Sequence, residues 1–172
     1  ENSIEGSVGA TLDLLVHEPG PLIRREVLLP VRQHLLARPG TRLEAITRVL
    51  SHPQPFGQCS RFLRDRLPGA SLEPTLSTAD AARKVAAGEP GAAAIGSRAA
   101  AGRYGLELVA ESIQDVDENV TRFVLLAQAD EAPTGRDRTS IAFTLDRDRP
   151  GGLFEVLGEF ARRGLNLSKV ES

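Results

Sequence analysis

Amide and hydroxyl side chains fall into three short clusters, and these residues are the ones best suited to chemistry. The clusters occupy residues 1–8, 51–59 and 119–123. Their neutral donors are Asn2, Ser3, Ser51, Gln58, Asn119 and Thr121. Such donors can stabilise negative charge on an oxygen without placing a carboxylate beside an anion. Arg122 adds a guanidinium, which can bind a carboxylate through two parallel hydrogen bonds.

The generic catalytic signatures are absent from the sequence. The stretch from Gly6 to Gly9 lacks the spacing of the hydrolase nucleophile elbow. His17 is not followed by a second histidine four residues later, so no zinc-protease helix is present. The three histidines are far apart, and the single Cys59 cannot build a sulfur metal site. No phosphate-binding loop or dinucleotide fingerprint occurs.

Composition limits the class of protein. The 172 residues are 41% hydrophobic and 26% charged, which excludes a largely disordered chain. No run approaches the roughly 20 apolar residues of a membrane helix, and a net charge of −2 argues against a nucleic-acid binder. One cysteine and no visible signal peptide predict a cytoplasmic location. Because methionine is absent even at position 1, and a predicted strand runs to the last residues, both ends are expected to be cut.

Apolar spacing and turn residues predict the elements that must position the clusters. Helices are expected over residues 8–16, 45–50 (after a capping box at 41–44), from about Pro55 to 67, 79–87 (capped by Ser77 or Thr78) and 97–104. Strands are expected within residues 22–37, 92–95, 106–110 and 120–127. Strands that alternate with short helices predict an α/β architecture.

The last third of the chain is predicted to be a separate region. Residues 129–138 are charged, contain Pro133 and Gly135, and are typical of a linker. A strand over 139–145, a helix over 151–163 and a strand over 165–170 should follow. The two glycines that open the helix could be only a flexible start, or their exposed N–H groups could bind a carboxylate.

The order and spacing of the polar motifs resemble prephenate dehydratase, the family that makes phenylpyruvate in phenylalanine biosynthesis. The motifs are residues 1–8, 51–59 and 119–123, supported by 94–97, 104–106 and 113–115. The segment from Thr139 resembles the start of an ACT regulatory domain, with motifs at 150–153 and 166–172. The resemblance covers nearly the whole chain, and three separated motifs in the same order make it specific.

The resemblance implies a two-lobed catalytic domain of the type II periplasmic-binding-protein kind, over residues 1–130. Its second subdomain would occupy approximately residues 26–106. A linker at 131–138 and the start of a ferredoxin-like ACT domain at 139–172 would follow. By the same likeness, the opening half of the first subdomain and the second half of the ACT domain are expected to be missing here.

The implied reaction converts prephenate into phenylpyruvate, CO2 and water in the cleft between the lobes, without a cofactor. By residue match, Thr121 donates to the leaving hydroxyl. Ser51, Gln58 and Asn2 complete the catalytic set, and the substrate-binding residues are Ser3, Asn119, Arg122 and Phe123. A threonine hydroxyl is a weak acid, so a hydrogen bond to the leaving oxygen is expected. Formal proton donation would require a concerted transfer or a relay.

Several of these residues have a purely structural alternative. Thr121 could simply pack within its strand, since β-branched residues favour strands. Asn2 and Ser3 could be turn or cap residues. Ser51 could cap the helix that follows it, and Gln58 could face solvent.

Arg122 and Thr121 are neighbours on one strand, so both cannot face the same side. Either Arg122 points away from the cleft, into a structural ion pair, or the strand is irregular there. Thr121 is the residue expected in the cleft. Phe123 would then line the pocket or pack in the core. His52 is a candidate acid, but the proline after it favours a structural turn. Cys59 is expected to be a buried apolar residue rather than a nucleophile.

The expected partners are prephenate as substrate and L-phenylalanine as allosteric effector, with no nucleic acid and no membrane. The effector would bind at Gly151, Gly152, Leu153, Asn166 and Leu167, in a homodimer or homotetramer formed through the ACT and catalytic domains. The rival interpretations are a non-catalytic small-molecule or amino-acid binding protein with the same cleft, and a purely regulatory ACT protein. The complete motif at 119–123 favours the enzyme, because a binder needs no donor at a leaving group.

Overall fold

The computed structural model describes residues 2–3, 6–17, 20–88, 90–129, 131–145 and 149–171. The chain forms two compact units, Glu1–Asp130 and Glu131–Ser172. The first unit contains, in chain order, α1 (Gly9–His17), β1 (Leu22–Pro30), β2 (His34–Ala37), β3 (Arg48–Ser51), α2 (Pro53–Gln58), α3 (Ser60–Arg66), β4 (Ser71–Pro74), α4 (Thr78–Ala86), β5 (Ala92–Gly96), α5 (Arg98–Tyr104), β6 (Glu107–Ala110) and β7 (Val120–Ala127). The second unit contains α6 (Gly152–Arg162).

A mixed five-stranded sheet in the order β4-β3-β5-β2-β6 forms the core of the first unit. Strand β3 runs parallel to both β4 and β5, whereas β2 runs antiparallel to β5 and β6. Alternate residues of each strand point to opposite faces, so Leu35 and Leu36 belong to two different apolar clusters. Helices α2 and α3 cover one face, and α4 and α5 cover the other, which gives an α/β fold with three layers.

A separate two-stranded sheet pairs β1 antiparallel with β7. The chain leaves this ribbon after β1, builds the larger sheet and returns through residues 111–119 to β7. The two segments that cross between the sheets, residues 31–33 and 111–119, lie side by side. The Val31 N–H donates to the Asn119 carbonyl (2.8 Å), and the Ile113 N–H donates to the Gln33 carbonyl (2.8 Å).

The caps of two helices are confirmed. The Ser77 hydroxyl accepts from the Asp80 N–H at the start of α4 (3.0 Å). Ser97 accepts from the Ala100 N–H at the start of α5 (3.2 Å), and Gly105 ends that helix with φ +66°. A left-handed C-terminal residue of this kind is the conformation that glycine adopts most readily.

Three predictions in the first unit are corrected. The capping-box pattern at 41–44 precedes a 3-10 turn at Leu43–Ala45 and strand β3, not a helix over 45–50. Strand β3 lies between two parallel neighbours, and this pairing outweighs local helix propensity. The expected strand within 22–37 is two strands in different sheets, because residues 31–33 carry the chain from one sheet to the other. Helix α2 begins at Pro53, two residues earlier than expected.

The strands expected at 139–145 and 165–170 are also wrong for the described residues, where both segments are irregular. A strand requires a paired neighbour, and neither segment has one in the described part of this unit. The expected helix is present as α6, and Arg149 forms an ion pair with Glu155 in its first turn (2.6 Å). In the described ranges, no helix of either unit has the length and apolar character needed to cross a membrane.

Candidate active site

A cleft of about 650 Å³ opens where the two-stranded ribbon meets the larger sheet. Residues from the segment before α1, the two segments that cross between the sheets, α2, the start of α4 and β7 contribute to its walls. Its lining residues are Asn2, Gly6, Ser7, Val8, Val31, Gln33, His52, Gln54, Pro55, Gln58, Leu76, Ser77, Thr78, Asn119 and Thr121. Four of the eight residues predicted as catalytic or substrate-binding therefore share one cavity: Asn2, Gln58, Asn119 and Thr121.

Asn2 organises the polar end of the cleft. Its backbone bridges to Thr121, and its side-chain Nδ2 donates to Thr121 Oγ1 (2.9 Å) and to Asn119 Oδ1 (2.8 Å). A hydroxyl carries one hydrogen and two lone pairs. Because Thr121 Oγ1 already accepts from Asn2, its own hydrogen can be donated to a group in the cleft.

Asn119 is almost completely buried, with 1% of its surface exposed. Its Oδ1 accepts from Asn2, but Nδ2 has no hydrogen-bond partner among the described residues. A buried unsatisfied donor costs about 1–3 kcal/mol, so such a group in a cleft indicates where an acceptor of a ligand belongs.

A chain of glutamine contacts positions Gln58. Gln33 Nε2 donates to Gln58 Oε1 (3.2 Å), and the Gln33 N–H donates to Gln114 Oε1 (3.1 Å). Below them, Asp115 accepts from the Ser60 hydroxyl (2.8 Å) and from the Arg61 N–H (3.1 Å), at the start of α3. The returning segment therefore supports the cleft from beneath, although the sequence pattern at 113–115 did not reveal this role.

His52 caps α2, and Ser51 does not. His52 Nδ1 accepts from the Gln54 N–H (3.3 Å), so the neutral ring carries its hydrogen on Nε2. His52 also lines the cleft, where its ring can act only as a neutral donor while Nδ1 holds this bond.

The expectation that Ser51 faces the cleft is corrected. Ser51 is fully buried at the end of β3, and its hydroxyl donates to the Ile95 carbonyl (3.3 Å). Cys59 is also buried, and burial, reinforced by nearby Asp115, raises the pKa of its thiol to about 12. Both side chains therefore belong to the supporting wall, and Cys59 is not a nucleophile at neutral pH.

Three further predicted substrate-binding residues lie outside the cleft lining. Arg122 faces away from it, as its alternation with Thr121 requires, and forms an ion pair with Glu26 on β1 (2.6 Å). Phe123 is on the strand face expected for the cleft, but it lies farther along β7 and is 54% exposed. The Ser3 hydroxyl donates to the Glu118 carbonyl (3.0 Å) and accepts from the Val120 N–H (2.9 Å), which joins the chain start to β7.

Most of the other lining residues carry no functional signal in the sequence. Ser77 and Thr78 were identified only as helix caps, and Leu76 gave no signal although it is 93% exposed at the cleft edge. Among the described lining residues there is no Asp, Glu, Lys or Arg. The described residues also contain no group of three or more His, Cys, Asp or Glu side chains that could hold a metal ion.

In the second unit, the predicted effector residues lie at the start of α6 and in the segment after its end. Gly151 is the N-cap of α6, has φ +86° and provides no side-chain cap. Gly152 is buried, close to Leu145, so a side chain at this position would collide with the leucine at about 3.1 Å. Leu153, Asn166 and Leu167 are exposed.

A family model described as prephenate dehydratase matches residues 1–131, which include the residues that line the cleft. The chain belongs to the prephenate dehydratase family. It is 39% identical over 172 residues to a bifunctional chorismate mutase/prephenate dehydratase of Aquifex aeolicus, covering all of this chain and 46% of that protein. It is 44% identical over 175 residues to a chloroplastic arogenate dehydratase/prephenate dehydratase of Arabidopsis thaliana, covering 44% of that protein.

A solved structure agrees with these sequence relationships. The chain superposes with a TM-score of 0.80 and 37% identity on a crystal structure of prephenate dehydratase from Arthrobacter aurescens, determined in complex with L-Phe. The match covers 99% of this chain and 57% of the other. The chain thus spans about half the length of the curated members of the prephenate dehydratase family that it matches.

Proposed function

We propose that this chain carries the active site of a prephenate dehydratase, a carbon–oxygen lyase that converts prephenate into phenylpyruvate, CO2 and water. The hydrogen bond from Asn2 to Thr121 Oγ1, inside the cleft, carries the proposal. It leaves the hydroxyl hydrogen of Thr121 available for the oxygen that leaves the substrate.

The cleft suits an amphipathic anion of this size. Its volume of about 650 Å³ is within the usual range for small-molecule sites. Val8, Val31, Pro55 and Leu76 offer apolar contacts for a six-membered ring. The polar lining consists of neutral groups, which do not repel the two carboxylates of prephenate.

The reaction needs little acid strength from the protein. The bond between the ring and its carboxylate breaks, and the electron pair moves into the ring as CO2 leaves. The C–O bond at the opposite ring carbon then releases hydroxide, which takes a proton and departs as water. Aromatisation supplies the driving force. Thr121 donates to the leaving oxygen, and the donation from Asn2 stabilises the charge that develops on Oγ1.

Arogenate is the second candidate substrate, because a similar relative is named arogenate dehydratase/prephenate dehydratase. Arogenate carries an ammonium group where prephenate has a keto group. A buried ammonium requires a carboxylate or several acceptors, and the described lining contains no carboxylate. We therefore place prephenate first.

Ultraviolet absorbance after mixing the protein with prephenate, and separately with arogenate, tests the reaction. Formation of phenylpyruvate supports the proposal, whereas faster turnover of arogenate assigns the second substrate. Tight binding of prephenate in calorimetry without any product would favour a non-catalytic binding protein instead.

The domain arrangement proposed here follows the same family pattern. The chain crosses twice between the ribbon and the five-stranded sheet, and this supports a two-lobed catalytic domain of the type II periplasmic-binding-protein kind within residues 1–130. Residues 131–138 would be the linker, and residues 139–172 the start of a ferredoxin-like ACT domain. Helix α6, with its glycine N-terminus, supports that second assignment.

Feedback inhibition by L-phenylalanine completes the proposal. A crystal structure of a similar prephenate dehydratase contains L-Phe. In this chain the effector carboxylate would lie near the N–H groups of Gly151, Gly152 and Leu153, and its ammonium near Asn166 and Leu167. Two ACT domains would pair across chains in a homodimer or homotetramer and bind the effector at the seam.

A further inference from the structure

The proposed substrate is a dianion, yet the described lining of the cleft contains no lysine or arginine. Backbone N–H groups in the lining can compensate at least one carboxylate. Ser77 and Thr78 line the cleft at the point where α4 begins, so the N-terminus of a nine-residue helix faces the cavity. The aligned peptide dipoles of a helix place partial positive charge at this end.

Two N–H groups at this end lie outside the internal bonding of α4. The Ser77 hydroxyl accepts from the Asp80 N–H, and the first helical bond runs from the Ala81 N–H to the Ser77 carbonyl (3.0 Å). The N–H groups of Thr78 and Ala79 precede both bonds and have no acceptor among the described residues.

The charged side chains of α4 add to this positive end. Asp80 would oppose an anion, but it forms ion pairs with Arg83 (2.5 Å) and Lys84 (3.1 Å), so the three side chains sum to one positive charge. Asp80 and Lys84 line the neighbouring pocket rather than the cleft.

A second observation in the same cleft points to a ligand acceptor. Asn119 is buried in the lining, and its Nδ2 has no partner among the described residues. Unmatched donors therefore occur at two places in one cavity: Asn119 beside Thr121, and the first turn of α4.

We propose that the N-terminus of α4, through the Thr78 N–H, binds the side-chain carboxylate of prephenate, while Asn119 donates to the substrate beside the leaving hydroxyl. This inference rests on the proposed function. The ring carboxylate is the wrong partner for α4, because a group that must lose its charge as CO2 is hindered by strong stabilisation. The side-chain carboxylate keeps its charge throughout the reaction and remains in phenylpyruvate.

An interaction that is equal in substrate and transition state changes KM and leaves kcat unchanged. Thr78→Pro tests the proposed bond from the Thr78 N–H to the carboxylate, because proline is well accepted at the first helical position and removes the N–H. The preceding Ser77 is extended (φ −160°, ψ 162°), which is compatible with a following proline. Thr78→Ala removes the hydroxyl and keeps the N–H.

The matched control is Arg98→Pro. Arg98 is the first residue of α5, has a serine cap of the same kind and lies outside the cleft. We expect Thr78→Pro to raise KM for prephenate by roughly 10- to 100-fold, the range of one charge-assisted hydrogen bond, with kcat nearly unchanged. Arg98→Pro should change KM by less than about threefold. Thr78→Ala keeps the N–H and should raise KM less than Thr78→Pro does. A folded Thr78→Pro variant with wild-type KM would overturn the inference.

Amide NMR on the wild-type protein provides a test that needs no variant. Titration with phenylpyruvate, which retains the carboxylate, should shift the Thr78 amide strongly and leave the Arg98 amide unmoved. If prephenate is turned over but the Thr78 amide does not respond, the carboxylate site is wrong and the proposed reaction stands. If the amide responds but no turnover occurs, the site stands and the reaction is wrong.

Discussion

Thr121 Oγ1 accepts one hydrogen bond and keeps a hydrogen to donate, which gives a weak acid a way to assist the proposed reaction. Its Oγ1 accepts from Asn2, so the hydroxyl hydrogen is directed to another acceptor. Any negative charge that develops on Oγ1 meets a donor that is already in place, so no reorganisation is required during the reaction.

Replacing Thr121 by valine keeps the shape of the side chain and removes the hydroxyl. We expect kcat to fall by about 10²-fold or more, the usual range for loss of a proton-transfer or oxyanion group. Thr121→Ser retains the hydroxyl and should keep most of the activity. Steady-state assays and a circular dichroism melt would separate chemistry from folding, and near-normal turnover in a folded Thr121→Val variant would remove Thr121 from the mechanism.

For individual residues, the sequence correctly predicted Thr121 at the centre of the cleft but not all of the residues around it. Thr121 in the cleft and Arg122 in an ion pair follow from the alternation of a strand. Strand alternation does not indicate how far along β7 the cleft extends. It therefore could not show that Phe123 lies beyond the cleft lining. Ser51 ends a buried strand, and only the tertiary structure shows its bond to Ile95.

The returning segment between β6 and β7 acts as a support for two helices. Asp115 accepts from Ser60 and Arg61 at the start of α3, and its own N–H donates to the Gln58 carbonyl at the end of α2 (2.6 Å). One residue from a distant part of the chain therefore satisfies groups at the junction of two consecutive helices.

Removing the Asp115 carboxylate should weaken this junction. We expect Asp115→Ala to lower the free energy of unfolding by about 1 kcal/mol, as loss of a helix cap does. Asp65→Ala is the matched control, because Asp65 lies on α3 and forms only an exposed pair with Arg64. Urea unfolding of both variants measures the difference, and equal stabilities would show that Asp115 is not a functional cap.

Element prediction succeeded where local signals and burial agree. Helices α4 and α5 carry serine caps and apolar faces that meet the sheet, so sequence and structure coincide. Residues 45–50 carry a helix-like capping pattern, but they lie beside the central strands, and sheet pairing determines their structure. Strand pairing is non-local, so no local pattern could reveal that residues 139–145 lack a partner among the described residues.

The stability of the first unit should depend on pH through His34. This side chain is buried, and its Nδ1 accepts from the Ser112 N–H (3.1 Å). Burial, with a smaller effect of Arg98, lowers the pKa of His34 below its ordinary value of 6.5, whereas Glu111 acts in the opposite direction. The folded state therefore binds the proton less readily than the unfolded state does.

The sign of the effect follows from this linkage. The contribution of neutral His34 to the free energy of unfolding is fully present above about pH 6.5. It is lost as the pH falls below this value, because the unfolded chain gains a proton there more readily than the folded chain does. Thermal melts between pH 7.5 and 5.5 should show this loss. A His34→Asn variant, which retains an acceptor, should show a smaller slope, whereas exposed His17→Asn should behave as wild type. An unchanged slope in His34→Asn would exclude His34 as the cause.

The proposed regulation by L-phenylalanine is assigned to the second unit. Asn166→Ala should leave turnover without effector nearly intact and raise the phenylalanine concentration needed for inhibition, because the effector loses a polar partner. Calorimetry would measure the affinity directly. Unchanged affinity, or inhibition that persists in a chain ending near residue 137, would refute this binding site.

The hydrogen bonds of Asn2 to Asn119 and Thr121 join residues that are 117 and 119 positions apart. All five strands of the larger sheet lie within residues 34–110, so that sheet can form by closing shorter loops. We expect pulse-labelled hydrogen exchange during refolding to protect β2 to β6 before β1 and β7, and simultaneous protection would contradict this order. The hydroxyl proposed to be catalytic then acquires its partner in one of the last folding steps, so we expect a partly folded chain with an intact core to lack the proposed activity.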